Sequence, residues 1–110
     1  MFGEWTLITS SKVSDIYIDL SSVQKSTDFT DYWSLINFKT KTQLKGYLSS
    51  IMLSEISCIM PIKFRALQTT AYSAPFGQGE ASNTDRNITD WHYPRPSGVQ
   101  EALHKKICGL

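Results

Sequence analysis

The chain has 110 residues, a formal net charge of +1 and two cysteines, a length that suits one packed core and not two. No stretch is dominated by Lys and Arg, which argues against a nucleic-acid-binding protein. No apolar run reaches the roughly 18 residues of a membrane-spanning helix. We therefore expect one domain over residues 1–110 that neither binds nucleic acid nor crosses a membrane.

The first two thirds of the chain have the pattern of an antiparallel sheet. In the segment 14–20, Ile16, Ile18 and Leu20 alternate with Tyr17 and Asp19, which predicts a strand with one apolar and one polar face. Segments of similar composition predict further strands, so that five are expected, at residues 4–9, 14–20, 31–38, 47–58 and 62–72.

The connections between these strands are marked by polar residues and by glycine or proline. Residues 21–29 predict a turn or a single helical turn, and residues 39–46 predict a polar hairpin with Gly46 as its turn residue. Pro61 has no amide hydrogen for a sheet ladder and therefore separates the fourth strand from the fifth.

After Tyr72 the composition changes twice. Residues 73–90 collect Pro, Gly, Asn and Asp and predict a long irregular loop, a kind of segment that is usually functional or mobile. A short helix then follows, with Ser97 as N-cap, Gln100 as its capping-box partner and Gly109 as the stop. Its apolar face is predicted to hold Val99, Ala102, Leu103 and Ile107, with Gln100, Glu101, Lys105 and Lys106 pointing elsewhere. The predicted fold class is α+β.

The two cysteines, Cys58 and Cys108, lie at the end of the fourth strand and at the end of the helix. A disulfide between them would tie the helix to the sheet and contribute about 4 kcal/mol by closing a long loop. It would also place the protein in an oxidising compartment, with a signal peptide already removed. The alternative is two buried free thiols in a cytosolic protein.

Residues that could carry chemistry are scattered. His92 and His104 are not at metal-ligand spacing from each other or from a cysteine, and we expect both at the surface or its boundary. No nucleophile elbow, phosphate loop or carboxylate pair is apparent. We expect no catalytic residues, metal or cofactor.

Two features suggest contact surfaces instead. Lys39, Lys41 and Lys45 are grouped at the predicted hairpin, in a window without acidic residues, and should give its tip a positive potential. They are candidate ligand-binding residues, although lysines also serve at a solvated edge to discourage edge-to-edge pairing of strands. Phe76 in the long loop is either an exposed contact residue or a plug that folds back onto the core.

Landmarks along nearly the whole chain resemble the surface-adhesin protein E family of Gram-negative bacteria. The most specific are the run Tyr72-Ser73-Ala74-Pro75-Phe76-Gly77 with Gly79, and the ending Trp91, Pro96-Ser97, Glu101 and Cys108. The resemblance implies a curved antiparallel sheet of about six strands. It also implies a C-terminal helix on the concave face, tied there by the pair Cys58 and Cys108.

The resemblance also implies a function and a place in the cell. It suggests a non-enzymatic adhesin of the Gram-negative cell envelope, in the periplasm, on the outer-membrane surface or secreted. Its partners would be host extracellular-matrix or serum proteins, and homodimers through sheet edges are compatible with it. The alternative is a small periplasmic structural or accessory protein without a host ligand. A third option, a hydrolase or inhibitor, would require a polar concave pocket.

Overall fold

The computed structural model describes residues 4–39, 46–96 and 98–109. Its centre is an open antiparallel sheet of six strands in the order β1-β2-β4-β5-β6, with β3 paired to β4 beyond the end of β2. The strands are β1 (Trp5–Ser10), β2 (Ser14–Asp19), β3 (Gln24–Lys25), β4 (Thr30–Phe38), β5 (Ser49–Ser57) and β6 (Lys63–Tyr72). The five predicted strands are confirmed, and β3 is an addition.

Strand alternation sorts the residues of the central strands onto two faces. The register pairs Ile18 with Ser34, Tyr32 with Ser54, and Ile56 with Phe64, so that these side chains share one face. Their neighbours along the chain, such as Leu35 and Ile51, therefore occupy the opposite face.

The helix α1 (Val99–Cys108) covers the first of these faces. The buried core joins both elements: Ile16, Ile18, Tyr32, Ile56, Leu103 and Ile107. The disulfide between Cys58 and Cys108 is confirmed, with an S–S distance of 2.08 Å and 5.6 Å between the Cα atoms. The N-cap is Gly98, one residue later than predicted, and makes no side-chain capping bond, while Ser97 lies outside the described residues.

The long segment after β6 covers the outer edge of that strand. Isolated bridges pair Tyr72 with Ala81, Thr69 with Asp85, and Phe64 with His92. Between these bridges, the hydroxyl oxygen of Ser82 accepts a hydrogen bond from the amide of Ala71, at 3.0 Å. The hydroxyl oxygen of Thr89 likewise accepts one from the amide of Ala66, at 3.0 Å. Side chains thus replace backbone partners where the chain is irregular, so that the edge is closed without a regular strand.

The start of the same segment lies on the face opposite the helix. A 3-10 turn at Pro75–Gly77 places the amide of Phe76 2.8 Å from Asn37 Oδ1 and that of Gly77 2.9 Å from Ser49 Oγ. The Phe76 ring lies 5.2 Å from that of Tyr17 and keeps 47% of its surface exposed. Phe76 is therefore a partial plug, between the two alternatives that the sequence left open.

Candidate binding surfaces

The lysines singled out in the sequence fall at the end of β4 and in the connection to β5. Lys41 and Lys45 lie outside the described residues. Lys39 is placed: its Nζ donates to the carbonyl of Ser11 at 2.6 Å and lies 3.5 Å from Asp15 Oδ1. The pKa of Asp15 is lowered, first by the hydroxyl of Ser10 and then by the charge of Lys39. Part of the positive potential of Lys39 is therefore offset by a neighbouring carboxylate.

A second group of charged and aromatic side chains surrounds Trp91, and we name it the Trp91 cluster: Phe29, Lys63, Arg65 and Trp91. The indole stacks on Phe29 at 5.4 Å between ring centres, while Lys63 Nζ and Arg65 Cζ lie 4.6 and 4.3 Å from its centre. Such cation–π contacts hold long basic side chains in defined positions.

Acidic residues across the sheet connect to this cluster. Arg65 pairs with Glu55 at 2.8 Å, and the register places Asp31 opposite Glu55 on the next strand. Burial raises the pKa of Asp31, and the charge of Glu55 adds to the effect. Arg65 neutralises only one of these two carboxylates, that of Glu55. The side chains of Asp31, Glu55 and Arg65 therefore present both negative and positive charge side by side.

Large apolar side chains are exposed beside the disulfide, on what we call the Met60 surface: Ile59, Met60, Pro61 and Tyr93. Ile59, Met60 and Tyr93 expose 63%, 78% and 62% of their surface. Concave spaces of about 460 and 310 Å³ flank Met60, Pro61 and Tyr93, and Lys63 lines the first of them. Contiguous exposed apolar side chains of this kind mark interaction sites in soluble proteins. The sequence pattern did not predict this surface, because residues 59–61 and Tyr93 lie far apart in the chain.

A polar cleft of about 430 Å³ lies on the face opposite the helix, beside Asp19, Asp31 and Trp33. The Asp19 carboxylate is buried and accepts bonds from the amide and the hydroxyl of Ser21, at 3.0 and 2.5 Å. Neither described histidine lines this cleft, so Ser21 has no imidazole base there. Within the described ranges, no group of three or more His, Cys, Asp or Glu side chains is placed to hold a metal ion.

The environment predicted for His104 from the sequence was wrong. His104 was expected at the surface or its boundary, but the residue is only 1% exposed, and its ring centre lies 4.9 Å from that of Phe64. Both ring nitrogens lack a hydrogen-bond partner, and burial lowers the pKa to about 4. The amide oxygen of Gln100, expected to point away from the core, is buried and unpartnered too. His92 is exposed, as predicted.

The molecule is an open antiparallel sheet with one helix linked to it by a disulfide. It therefore belongs to the class of small disulfide-bonded α+β proteins, and it has exposed aromatic and cationic surfaces. Over the described residues, no helix is both long and apolar enough to span a membrane. The sequence profile of surface-adhesin protein E matches residues 5–109. The chain therefore belongs to the surface-adhesin protein E family, as the landmark residues had indicated.

Solved structures support the same fold. The structure of Haemophilus influenzae protein E matches with a TM-score of 0.70 at 13% identity, covering 99% of this chain and 86% of the other. Its crystal form II gives a TM-score of 0.71 at 14% identity, with 99% and 90% coverage. Protein E from non-typeable Haemophilus influenzae gives 0.66 at 14%, with 99% and 78% coverage. A sequence search of curated proteins finds no match.

Proposed function

We propose that this protein is a non-enzymatic, adhesin-like binding protein of the Gram-negative cell envelope that contacts host extracellular-matrix or serum proteins. The observation that carries the proposal is the family match over residues 5–109. The disulfide between Cys58 and Cys108 supports an oxidising location such as the periplasm, the outer surface or the exterior.

The Met60 surface and the Trp91 cluster form the proposed apolar contact. Aromatic residues, Met and Arg are enriched at protein interfaces, and Tyr and Trp in particular bury a large area at a modest loss of conformational freedom. Met60 and Tyr93 supply exposed apolar area, and Lys63 and Arg65 are already held against Trp91. A partner bound there would bury side chains that now lie in water.

The hairpin lysines are proposed to attract the partner rather than to anchor it. Lys39, Lys41 and Lys45 add positive charge to the connection between β4 and β5, and the pairing of Lys39 with Asp15 reduces what Lys39 can contribute to a direct contact. Charges of this kind mainly raise association rates and make them sensitive to salt.

The test is binding of the oxidised protein to immobilised fibronectin, collagen and fibrinogen, followed in real time at two salt concentrations. Reversing the hairpin charges (K39E/K41E/K45E) should lower the association rate about tenfold and flatten its salt dependence. The matched control is R86E/R95E/K106E, which makes the same charge change at other exposed positions. The double variant M60S/Y93S should instead raise the dissociation rate about tenfold or more.

The alternative, an envelope accessory protein without a host ligand, makes a different prediction. If this alternative holds, no matrix or serum protein binds saturably. Cross-linking in the cells of origin then recovers a partner from the bacterial envelope. That pair of results would replace the adhesin proposal.

A further inference from the structure

A small cavity lies between α1 and the sheet, separate from the surfaces described above. Its volume is about 150 Å³. The walls are mainly apolar and include Ile36, Met52, Phe64 and Leu103, but the hydroxyl-bearing side chains of Tyr32, Ser34 and Ser54 line it as well. Thr89 and His92, both exposed, also line it and mark where it approaches solvent. The space therefore has an apolar interior and a path to the outside.

Gln100 carries a buried polar atom without a partner beside this cavity. The residue lines the cavity from the first turn of α1, and its Oε1 is buried without a hydrogen-bond donor. A buried acceptor left without a partner destabilises a protein, because it has lost its hydrogen bonds to water without replacement. An occupant that donates one hydrogen bond would remove this penalty.

The size and charge of the cavity restrict that occupant. A cavity of roughly 150 Å³ with aliphatic and aromatic walls is known to accept benzene. The described lining contains no Asp, Glu, Lys or Arg, so an ionised ligand would lose its hydration without a counter-charge. A water molecule needs two to four polar partners, and the buried hydroxyls of Ser34 and Ser54, which also line the cavity, make ordered water the competing occupant.

We propose that the cavity under α1 binds a neutral, single-ring aromatic molecule with one hydrogen-bond donor, of the phenol class. The ring lies among Ile36, Met52 and Leu103, and its hydroxyl donates to Gln100 Oε1. This site is independent of the proposed contact with host proteins, because it lies beneath the helix and not on the Met60 surface.

The experiment uses oxidised protein with ¹³C-labelled methionine methyl groups, titrated with phenol and with benzene. The methyl group of Met52 reports the cavity, and that of Met60, which is 78% exposed, is the internal control. Phenol should shift the Met52 signal saturably and leave Met60 unchanged. Gln100→Met keeps the size of the side chain but removes the acceptor, so phenol affinity should fall about tenfold while benzene affinity holds or rises.

Two further variants complete the test. Gln78→Met makes the same change in the exposed loop and should leave phenol binding unaltered. Ala66→Leu, which adds volume at the wall, should abolish the response to both ligands. A Met52 signal that does not saturate with phenol, as expected if the cavity holds only ordered water, would overturn the proposal. Equal phenol affinity in the wild type and in Gln100→Met would overturn it as well.

Discussion

The two faces of the sheet are covered in different ways. On one face, α1 buries Leu103 and Ile107 against the strands and is tied at its end by the disulfide. On the other, a 3-10 turn at Pro75–Gly77 is held by amide bonds to Asn37 and Ser49 and by one ring contact, between Phe76 and Tyr17. The helix face relies on the apolar area of a whole helix and a covalent link, whereas the opposite face buries Leu35 and Ile51 beneath a short turn that is held by a few directed polar contacts.

This difference indicates which contacts contribute most to the free energy of unfolding. Apolar burial scales with area and is supplied by a whole helix, whereas a hydrogen bond contributes only about 1 kcal/mol net. We therefore expect changes in the helix to destabilise the protein several times more than changes in the turn or in the polar side chains that hold it. The predictions below test this ranking.

The largest effect is expected from the disulfide. Replacing both cysteines (C58S/C108S) opens a loop with a sequence separation of 50 residues, and the chain-entropy estimate for such a loop is about 4 kcal/mol. Urea unfolding followed by tryptophan fluorescence measures this loss. Reductant should destabilise the wild type to the same level and leave the double variant unchanged, and a loss below about 1 kcal/mol would contradict the ranking.

Truncation of the helix core comes next. Leu103→Ala removes a side chain that is 3% exposed and should lower the free energy of unfolding by about 3 kcal/mol. Phe76→Ala on the other face removes a half-exposed ring and should cost only about 1 kcal/mol. Equal losses in urea titrations would show that the turn is as important as the helix.

Acidification should weaken the helix face through His104. The folded-state pKa of about 4 lies below the ordinary value of 6.5, so the unfolded chain binds the proton more readily. Stability is therefore complete above pH 6.5 and falls as the pH drops from 6.5 to about 4. A shift of this size corresponds to about 3 kcal/mol, and we expect about 2 because local opening near the helix lets the charged ring rehydrate.

The control for this pH effect is His104→Leu, which cannot take up a proton at this position. Glu101 and Lys105 on the same helix and His92 on the covering segment remain in both proteins, so that subtracting the two stability curves isolates His104. If the variant has the same slope between pH 6.5 and 4 as the wild type, His104 is not the group responsible.

The smallest effect is expected at Asn37. Asn37→Ala removes the acceptor of the Phe76 amide and should lower the free energy of unfolding by about 1 kcal/mol. Amide hydrogen exchange should show faster exchange at Phe76 but not at Leu103. Asn83→Ala, at an exposed position of the same long segment, should alter neither quantity.

Local pattern predicted most of the secondary structure. The start and end of each of the five longer strands fall within two residues of the prediction, because side-chain alternation is visible along the chain itself. β3 was missed because a strand of two residues has no period to detect. The sequence pattern predicted the buried face of α1 only in part. Gln100, Leu103, His104 and Ile107 form the i, i+3, i+4, i+7 stripe that faces the sheet. Gln100 and His104 were not assigned to this face because both are polar.

The segment after β6 shows what pattern could not provide. Its composition predicted an irregular loop, and it is irregular, but Ser82 and Thr89 bond to specific amides of β6. Which hydroxyl meets which amide depends on how two distant stretches lie against each other. The Met60 surface likewise becomes visible only when residues 59–61 and Tyr93 are brought together.

By itself, the sequence determined the strands, the helix and the family, since alternating apolar residues and distinctive landmarks are properties of the chain order. Only the tertiary structure decided which polar groups are buried, which apolar groups stay exposed and where a cavity remains. The physical reason is that burial belongs to pairs of surfaces: His104 and Gln100 lose their water because of what packs against them, and Met60 keeps its exposure because nothing in the described chain covers it.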